Sequence, residues 1–285
     1  MSRLAKVRRE REDTLRCTRC HDREFVLRSG PRFLEAARCP DCSSCAATCG
    51  GRGFTIQRNE AGHRVAVPCA CRALHHRIEL FNQAELPRRF LDATVESLQE
   101  LTPSQSAAKL HMLRLWKGFR PGDRGVGLSG PVGVGKTHLM AGLVRILTLE
   151  QGVRCRFVEI THLLAEIKAG FQEGRGEAEL VGPLASVPVL VIDELGKGMM
   201  TEWQLSVLDE LISRRYNAAV STFFTTNYPF SNATATPASA RRKQEGFETL
   251  TLEERVGSRN ASRLAEMCTW LRVEAPDYRR RPEGP

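Results

Sequence analysis

Apolar residues along the chain follow two kinds of spacing, which predict strands that alternate with helices. The run VPVLVID at residues 187–193 is continuously apolar before its acid, as is typical of a central strand covered on both faces. Gly125–Ser129 and residues 220–227 predict two further strands. Between them, apolar residues of the segment 136–150 recur on one face of a helix. This order predicts an α/β fold with a parallel sheet.

A second helix is predicted to begin at Thr201. Thr201 and Gln204 have the spacing of a capping box, and Leu205, Leu208 and Ile212 follow on one helical face. By contrast, residues 231–250 are small and polar, then basic, which predicts a flexible loop.

Composition and length narrow the class of protein. The 285 residues are 41% hydrophobic and 26% charged, which excludes disorder throughout and allows one large domain with a smaller one. The longest apolar run is far shorter than the roughly 20 residues that cross a bilayer, so we expect a cytoplasmic protein without membrane contact.

The formal net charge is +9. Residues 1–90 hold 18 Lys and Arg against 10 Asp and Glu, which favours a polyanion such as nucleic acid or simply a solvated basic face.

Cysteines are concentrated near the N-terminus. Eight of the ten lie in 55 residues, two pairs of them as Cys-x-x-Cys, a spacing that suits a tetrahedral zinc ion. The simplest partition gives two four-cysteine zinc sites. The first comprises Cys17, Cys20, Cys39 and Cys42, and the second Cys45, Cys49, Cys69 and Cys71. One zinc with spare thiols, a redox cluster, or substitution by a histidine among His21, His63, His75 and His76 remain alternatives.

A phosphate-binding loop is predicted between the strand Gly125–Ser129 and the following helix. The sequence GPVGVGKT matches G-x-x-x-x-G-K-[ST] at every required position. Gly130, Gly133 and Gly135 allow backbone N–H groups to turn toward the phosphates of ATP. Lys136 is predicted to reach the β and γ phosphates, and Thr137 to hold Mg²⁺.

Polar residues at two other strand ends complete the predicted site. Asp193 ends the strand at 187–193 and Glu194 follows it, at the edge of a parallel sheet where ligands bind. We expect Asp193 to contact the Mg²⁺ shell and Glu194 to polarise an attacking water, which favours an ATPase over a small-molecule kinase. Asn227, after the next strand, is placed to orient that water or to sense the γ-phosphate.

Five motifs occur together in one order and resemble a known family. They are GPVGVGKTHLM at residues 130–140, VLVIDELG at 189–196, LISRRYN at 211–217, FTTN at 224–227 and SRNASRLAEMC at 258–268. Over residues 86–280 the chain resembles the DnaC/DnaI-type bacterial replicative helicase loaders, AAA+ ATPases related to IstB and DnaA. The resemblance implies an AAA+ P-loop sheet sandwiched by helices and preceded by a small zinc-binding domain. About twenty residues follow Arg263, too few for the helical lid of complete AAA+ proteins, so we expect this chain to lack a full C-terminal lid.

The resemblance also implies a site shared between subunits. Ser262-Arg263-Leu264 is similar to the motif whose arginine touches the γ-phosphate held by a neighbouring subunit. Arg263 is then a catalytic residue, Arg259 one turn earlier assists it, and the protein forms a self-oligomer through its nucleotide interface. Two arginines on a solvated helix are the alternative.

The partners and domains follow from the same resemblance. It implies a replicative DNA helicase and single-stranded DNA as partners, with the DNA near a helix at 161–171 and contacts from Lys168 and Arg175. We expect a zinc-binding domain at 1–72 that meets the helicase, a helical connector at 73–100 and an ATPase domain at 101–285. The alternatives are an IstB-like transposition helper that binds double-stranded DNA and a transposase, and a zinc-ribbon nucleic-acid adaptor that uses ATP only as a binding switch.

Overall fold

A computed structural model describes most of the chain. The described residues are 17–41, 49–50, 52–69, 71–198, 200–230 and 250–280. Cys42 and Cys45, two of the predicted zinc ligands, lie outside them, as does the predicted loop except for Leu250.

Two antiparallel hairpins and a helix precede the region of the phosphate loop. The first hairpin pairs β1 (Phe25–Ser29) with β2 (Leu34–Arg38), and the second pairs β3 (Phe54–Arg58) with β4 (Arg64–Pro68). Helix α1 (Cys71–Gln83) follows, and then a 3₁₀ turn at Arg88–Phe90. The connector predicted at 73–100 is therefore helical only in these two parts, because residues 91–101 form neither helix nor strand.

The remaining elements alternate strands and helices. The strands are β5 (Gly125–Ser129), β6 (Cys155–Glu159), β7 (Val189–Asp193), β8 (Ser221–Thr226) and β9 (Cys268–Arg272). The helices are α2 (Pro103–Gly118), α3 (Lys136–Leu149), α4 (Ile160–Gln172), α5 (Glu177–Ser186), α6 (Glu202–Asn217), α7 (Leu252–Val256) and α8 (Ser258–Met267).

The five strands form one parallel sheet in the order β6-β7-β8-β5-β9. Every residue of β5, β7 and β8 is buried, as expected for strands covered by helices on both faces. The predicted parallel sheet between helices is confirmed. The capping box of α6 is also confirmed, since the Thr201 side chain and the Gln204 side chain each accept from the other's backbone N–H.

The apolar core lies on the two faces of this sheet. One face packs against α1, α2 and α3, and the other against α4, α5, α6 and α8. Phe25 and Leu34 of the first hairpin and Phe81 of α1 belong to the same buried cluster as Leu139 and Leu143 of α3. The first hairpin is thus supported by the core of the sheet domain and does not depend on a metal alone.

None of the helices in the described residues has the length and apolar composition that a membrane crossing requires.

Candidate nucleotide-binding site and thiol clusters

The loop between β5 and α3 has a backbone that requires glycine. Gly130, Gly133 and Gly135 have φ values of 146°, 79° and 95°, in the region that L side chains rarely adopt. A Cβ atom at Gly130 would lie 1.9 Å from the carbonyl oxygen of Val273, and one at Gly133 would lie 1.7 Å from Oδ1 of Asp277. The loop then leads into α3, so its N–H groups lie at a helix N-terminus, which attracts anions.

Lys136 is the first residue of α3 and its side chain lies under this loop. Its Nζ donates to the carbonyl oxygens of Gly130 (2.8 Å) and Pro131 (2.6 Å) and to Oδ1 of Asn227 (2.9 Å). Burial lowers the pKa of the amine to about 8, against the opposing effect of Asp193 and Glu194. A triphosphate would offer this amine stronger acceptors than neutral carbonyls.

Asp193, at the end of β7, has one satisfied and one unsatisfied carboxylate oxygen. Its Oδ1 accepts from Thr137 Oγ1 (2.8 Å) and from Thr225 Oγ1 (2.6 Å). Its Oδ2 is buried with no hydrogen-bond partner among the described residues. Burial raises the pKa of this carboxyl, while the two hydroxyl donors act in the opposite direction. A hard cation that prefers oxygen ligands would satisfy Oδ2, so Thr137 and Asp193 fit Mg²⁺.

Glu194 follows directly and has a left-handed backbone with φ of 58°. Its N–H donates to Thr225 Oγ1 (2.9 Å), and its carboxylate pairs with Lys197. Lys197 also lies 3.5 Å from Glu159 at the end of β6. The hydrogen bond to Glu194 raises the pKa of Lys197. Lys197 was not among the predicted site residues, although it lies only three residues after Glu194 in the sequence.

These strand ends surround one cavity of about 430 Å³. The tertiary structure brings the loop, Lys136, Thr137, Glu194 and Asn227 to its wall. It adds residues that the sequence analysis did not assign to the nucleotide. They are Arg89, Phe90, Ser97, Leu98, Gln99, Val132, Val134, His138, Thr225, Tyr278 and Arg279.

Arg263 and Arg259 lie elsewhere, on α8. Nη1 of Arg263 contacts Oδ1 of Asp209 (3.1 Å) and Oγ of Ser213 (2.5 Å), both on α6. Nη1 of Arg259 lies 3.8 Å from the same carboxylate, with the side chain 74% exposed. Neither arginine lines the cavity that the described residues form. The structure therefore does not bring them to the nucleotide site of their own chain.

Two groups of thiols are assembled by the hairpins. Cys17 and Cys20 lie near Cys39 at the open end of β1–β2, and Cys49, Cys69 and Cys71 gather at the base of β3–β4. Within each group, the three sulfur atoms lie within 4.8 Å of one another, and no histidine belongs to either group in the described residues.

The sulfur separations within these groups match a tetrahedral metal site. Sγ of Cys17 lies 3.7 Å from Sγ of Cys39, and Sγ of Cys49 lies 3.5 Å from Sγ of Cys71. Zinc–sulfur bonds of about 2.3 Å in a tetrahedron place sulfurs about 3.8 Å apart. Both groups thus fit Zn²⁺. The six described cysteines fall into the same two groups that the sequence spacing predicted.

A glycine loop after β5, a buried lysine and an acid at the end of β7, which is separated from β5 by β8, define a P-loop ATP-binding protein of the AAA+ class. The family model of IstB-like ATP binding proteins matches residues 63–239, and the chain belongs to this family.

Individual relatives extend this assignment. The "Replicative helicase loader DnaI" of Bacillus subtilis (strain 168) is 27% identical over 152 residues, which cover 52% of this chain and 48% of DnaI. The "Insertion sequence IS21 putative ATP-binding protein" of Pseudomonas aeruginosa is 36% identical over 105 residues, 37% of this chain and 38% of that protein. The matches thus span about half of the curated relatives' own length or less.

A solved structure shows the same fold. The crystal structure of the DnaC helicase loader is 27% identical, with a TM-score of 0.55, and the match covers 66% of this chain and 99% of that one. The AAA+ fold is confirmed, and so is the resemblance of this chain to the DnaC/DnaI loaders.

Proposed function

We propose that this protein is an ATPase that loads a replicative DNA helicase and binds ATP, Mg²⁺ and single-stranded DNA. The observation that carries the proposal is the convergence of Lys136, Glu194 and Asn227 on one cavity, with Asp193 hydrogen-bonded to Thr137 of its wall, in a chain homologous to the DnaI and DnaC loaders. In the proposed arrangement, the zinc-binding domain at 1–72 selects the helicase and residues 73–100 connect it to the ATPase. Residues 101–285 then bind single-stranded DNA in a manner that depends on the bound nucleotide.

The proposed mechanism assigns tasks to five residues in or next to the cavity. Lys136 exchanges its carbonyl acceptors for the β and γ phosphates. Thr137 and Asp193 would hold Mg²⁺, which neutralises charge that develops on the phosphates. Glu194 accepts a proton from water as the water oxygen attacks the γ-phosphorus and the bond to the β–γ bridging oxygen breaks. Asn227 positions the water or the γ-phosphate and keeps Lys136 in place.

A second subunit completes the proposed site. Arg263 lies outside its own cavity, and its partly exposed contact with Asp209 holds it only weakly. We propose that it reaches the γ-phosphate of a neighbouring copy, with Arg259 on the same helical face. A guanidinium suits the charge spread over a phosphoryl transition state.

Arg263→Ala is expected to lower the ATP turnover number by about 10³-fold, the lower end of the range for such arginines. ATP affinity measured on dilute protein should stay close to the wild-type value. Mixing Arg263→Ala with the impaired Glu194→Gln variant should restore part of the turnover, because about one interface in four then has an intact Glu194 on one side and an intact Arg263 on the other. No recovery on mixing, or full concentration-independent turnover by Arg263→Ala, contradicts a shared site.

The two thiol groups are proposed to bind one Zn²⁺ each, with Cys42 and Cys45 as the fourth ligands. Full-length protein should contain two zinc ions per chain, measured as metal content against protein concentration. Cys17→Ser and Cys71→Ser should each reduce that number to one, whereas Cys155→Ala, which changes a buried thiol outside both groups, should leave two. A wild-type content of one zinc would favour the alternative of spare thiols.

The family model and the IS21 relative favour a second candidate, a transposition helper that acts on double-stranded DNA. The two functions differ in the DNA and the partner. Affinity of the full chain for single-stranded and double-stranded oligonucleotides is measured with ATP and with ADP, together with turnover in the presence of a replicative helicase. The loader function requires ATP-dependent preference for the single strand and a complex with the helicase. Preference for the duplex and no helicase complex would support the transposition helper.

A further inference from the structure

The last described residues of the chain lie directly on the phosphate loop. We call residues 273–279, which follow β9, the C-terminal strap. The N–H of Val273 donates to the carbonyl of Ser129 (2.7 Å), and the N–H of Tyr278 donates to the carbonyl of Gly133 (3.1 Å). The atoms that leave no room for a Cβ at Gly130 and Gly133 both belong to this strap. The loop and the strap therefore fit each other at two points.

The strap is also anchored from its other side, by the beginning of α2. Thr102 Oγ1 and Ser104 Oγ donate to the carbonyl oxygen of Glu274, at 2.6 and 2.9 Å. The buried Gln105 side chain donates to the carbonyl of Val134 in the loop (3.0 Å) and to the Tyr278 hydroxyl (3.3 Å). One glutamine thus joins the loop to the strap, and the position of the strap relative to the phosphate site is well defined.

The strap ends by placing Arg279 at the wall of the nucleotide cavity, with Lys136 and Glu194. The backbone N–H of Arg279 donates to Oδ1 of Asp277 (2.9 Å), and its Nε lies 3.5 Å from the same oxygen. The side chain is 68% exposed, so this ion pair is weak and the guanidinium can exchange it for a better anion.

The cavity wall carries two cations from distant parts of the chain. Lys136 belongs to the start of α3 and Arg279 to the strap, and both line the same cavity beside the phosphate loop. A phosphate group in this cavity would therefore have two cations to bind.

We propose that Arg279 is a phosphate ligand for the nucleotide bound by its own chain. The inference rests on the proposed function, because it requires that ATP occupies this cavity. Arg279 differs from Arg263, which is proposed to act on a neighbouring copy. Its planar guanidinium can donate two hydrogen bonds to phosphate oxygens, and its contribution rises with the charge of the nucleotide.

The test compares nucleotides of different charge. Dissociation constants of ATP, ADP and AMP are measured by equilibrium dialysis for full-length wild-type protein, Arg279→Ala, Arg279→Lys and the control Arg272→Ala. Arg272 is also a cation near the C-terminus, paired with Glu274, but it does not line the cavity. Arg279→Ala should weaken ATP binding by about 10- to 100-fold, as expected for a lost hydrogen bond to a charged group. AMP binding should change much less, Arg279→Lys should be intermediate, and Arg272→Ala should resemble the wild type.

Three other results would each overturn the phosphate role of Arg279. If the wild type binds ATP and Arg279→Ala binds it equally well, the inference is overturned and the proposed function stands. If ATP and AMP are weakened by the same factor, Arg279 is a base or ribose contact or a purely structural residue, and the phosphate role is also overturned. If the wild-type protein binds no ATP, the proposed function and this inference are overturned together.

Discussion

Replacing Glu194 with glutamine is expected to leave ATP binding intact and to lower the turnover number by about 10²- to 10⁴-fold, the range for loss of a general base. Glutamine keeps the shape of the side chain and accepts a hydrogen bond, but it cannot take a proton from water at neutral pH. The backbone N–H of residue 194 would still donate to Thr225, so the strand end should keep its conformation. Steady-state phosphate release and equilibrium binding of ATP are the two measurements.

The matched control is Glu202→Gln. Glu202 lies in the first turn of α6, and it does not line the cavity formed by the described residues. Its replacement makes the same chemical change and should alter turnover less than twofold. Wild-type turnover by Glu194→Gln would show that Glu194 is not the base. Loss of ATP binding would contradict the expectation that the variant changes only the catalytic step.

Arg215→Met is expected to lower the free energy of unfolding by about 3–5 kcal/mol, because it leaves several buried acceptors without a donor and each such loss costs about 1–3 kcal/mol. Arg215 is fully buried in α6 and makes hydrogen bonds to the end of α5 and to β8. Its acceptors are Thr222 Oγ1 and the carbonyl oxygens of Leu184, Ala185, Val187 and Ser221. Burial lowers the pKa of the guanidinium, so these acceptors are what offsets the cost of its charge.

The neighbouring Arg214→Met is the control for this prediction. Arg214 is partly exposed and pairs with Glu210 and Glu177 on the surface, where such pairs contribute at most about 1 kcal/mol. Urea unfolding of the two variants measures both values. If Arg215→Met fails to accumulate as folded protein, Arg215→Lys, which keeps a cation but loses most of the hydrogen bonds, should still unfold at lower urea than the wild type. Equal stability of the Arg214 and Arg215 variants would contradict this role.

Local sequence was sufficient to predict much of the nucleotide site. The glycine spacing, Lys136 and Thr137 identified a phosphate loop because only a narrow backbone path with a lysine at the helix start serves that purpose. Asp193 and Asn227 were placed at the same sheet edge because they follow apolar strands. The structure places Asp193 against Thr137 and Asn227 against Lys136. The catalytic and metal-binding roles of these residues remain proposals.

Other members of the site had no local signal. Arg279 lies 143 positions after Lys136, and Arg89 lies 47 positions before Lys136. They line the cavity because β9 places the strap beside β5 and because the segment before α2 passes the loop. The two consecutive arginines of LISRRYN also cannot be distinguished from sequence. In the structure, Arg214 is on the surface and Arg215 is buried.

The sequence by itself determined the order of strands and helices, the phosphate loop and the spacing of the thiols. It could do so because periodicity and motif chemistry depend on residues that are close together along the chain. Only the tertiary structure decided which distant cations face the phosphates, that Arg263 points away from its own cavity, and that the first hairpin shares the core of the sheet domain. These features depend on how the strands are arranged in space and on which side chains are buried together, and neither is encoded in a local pattern.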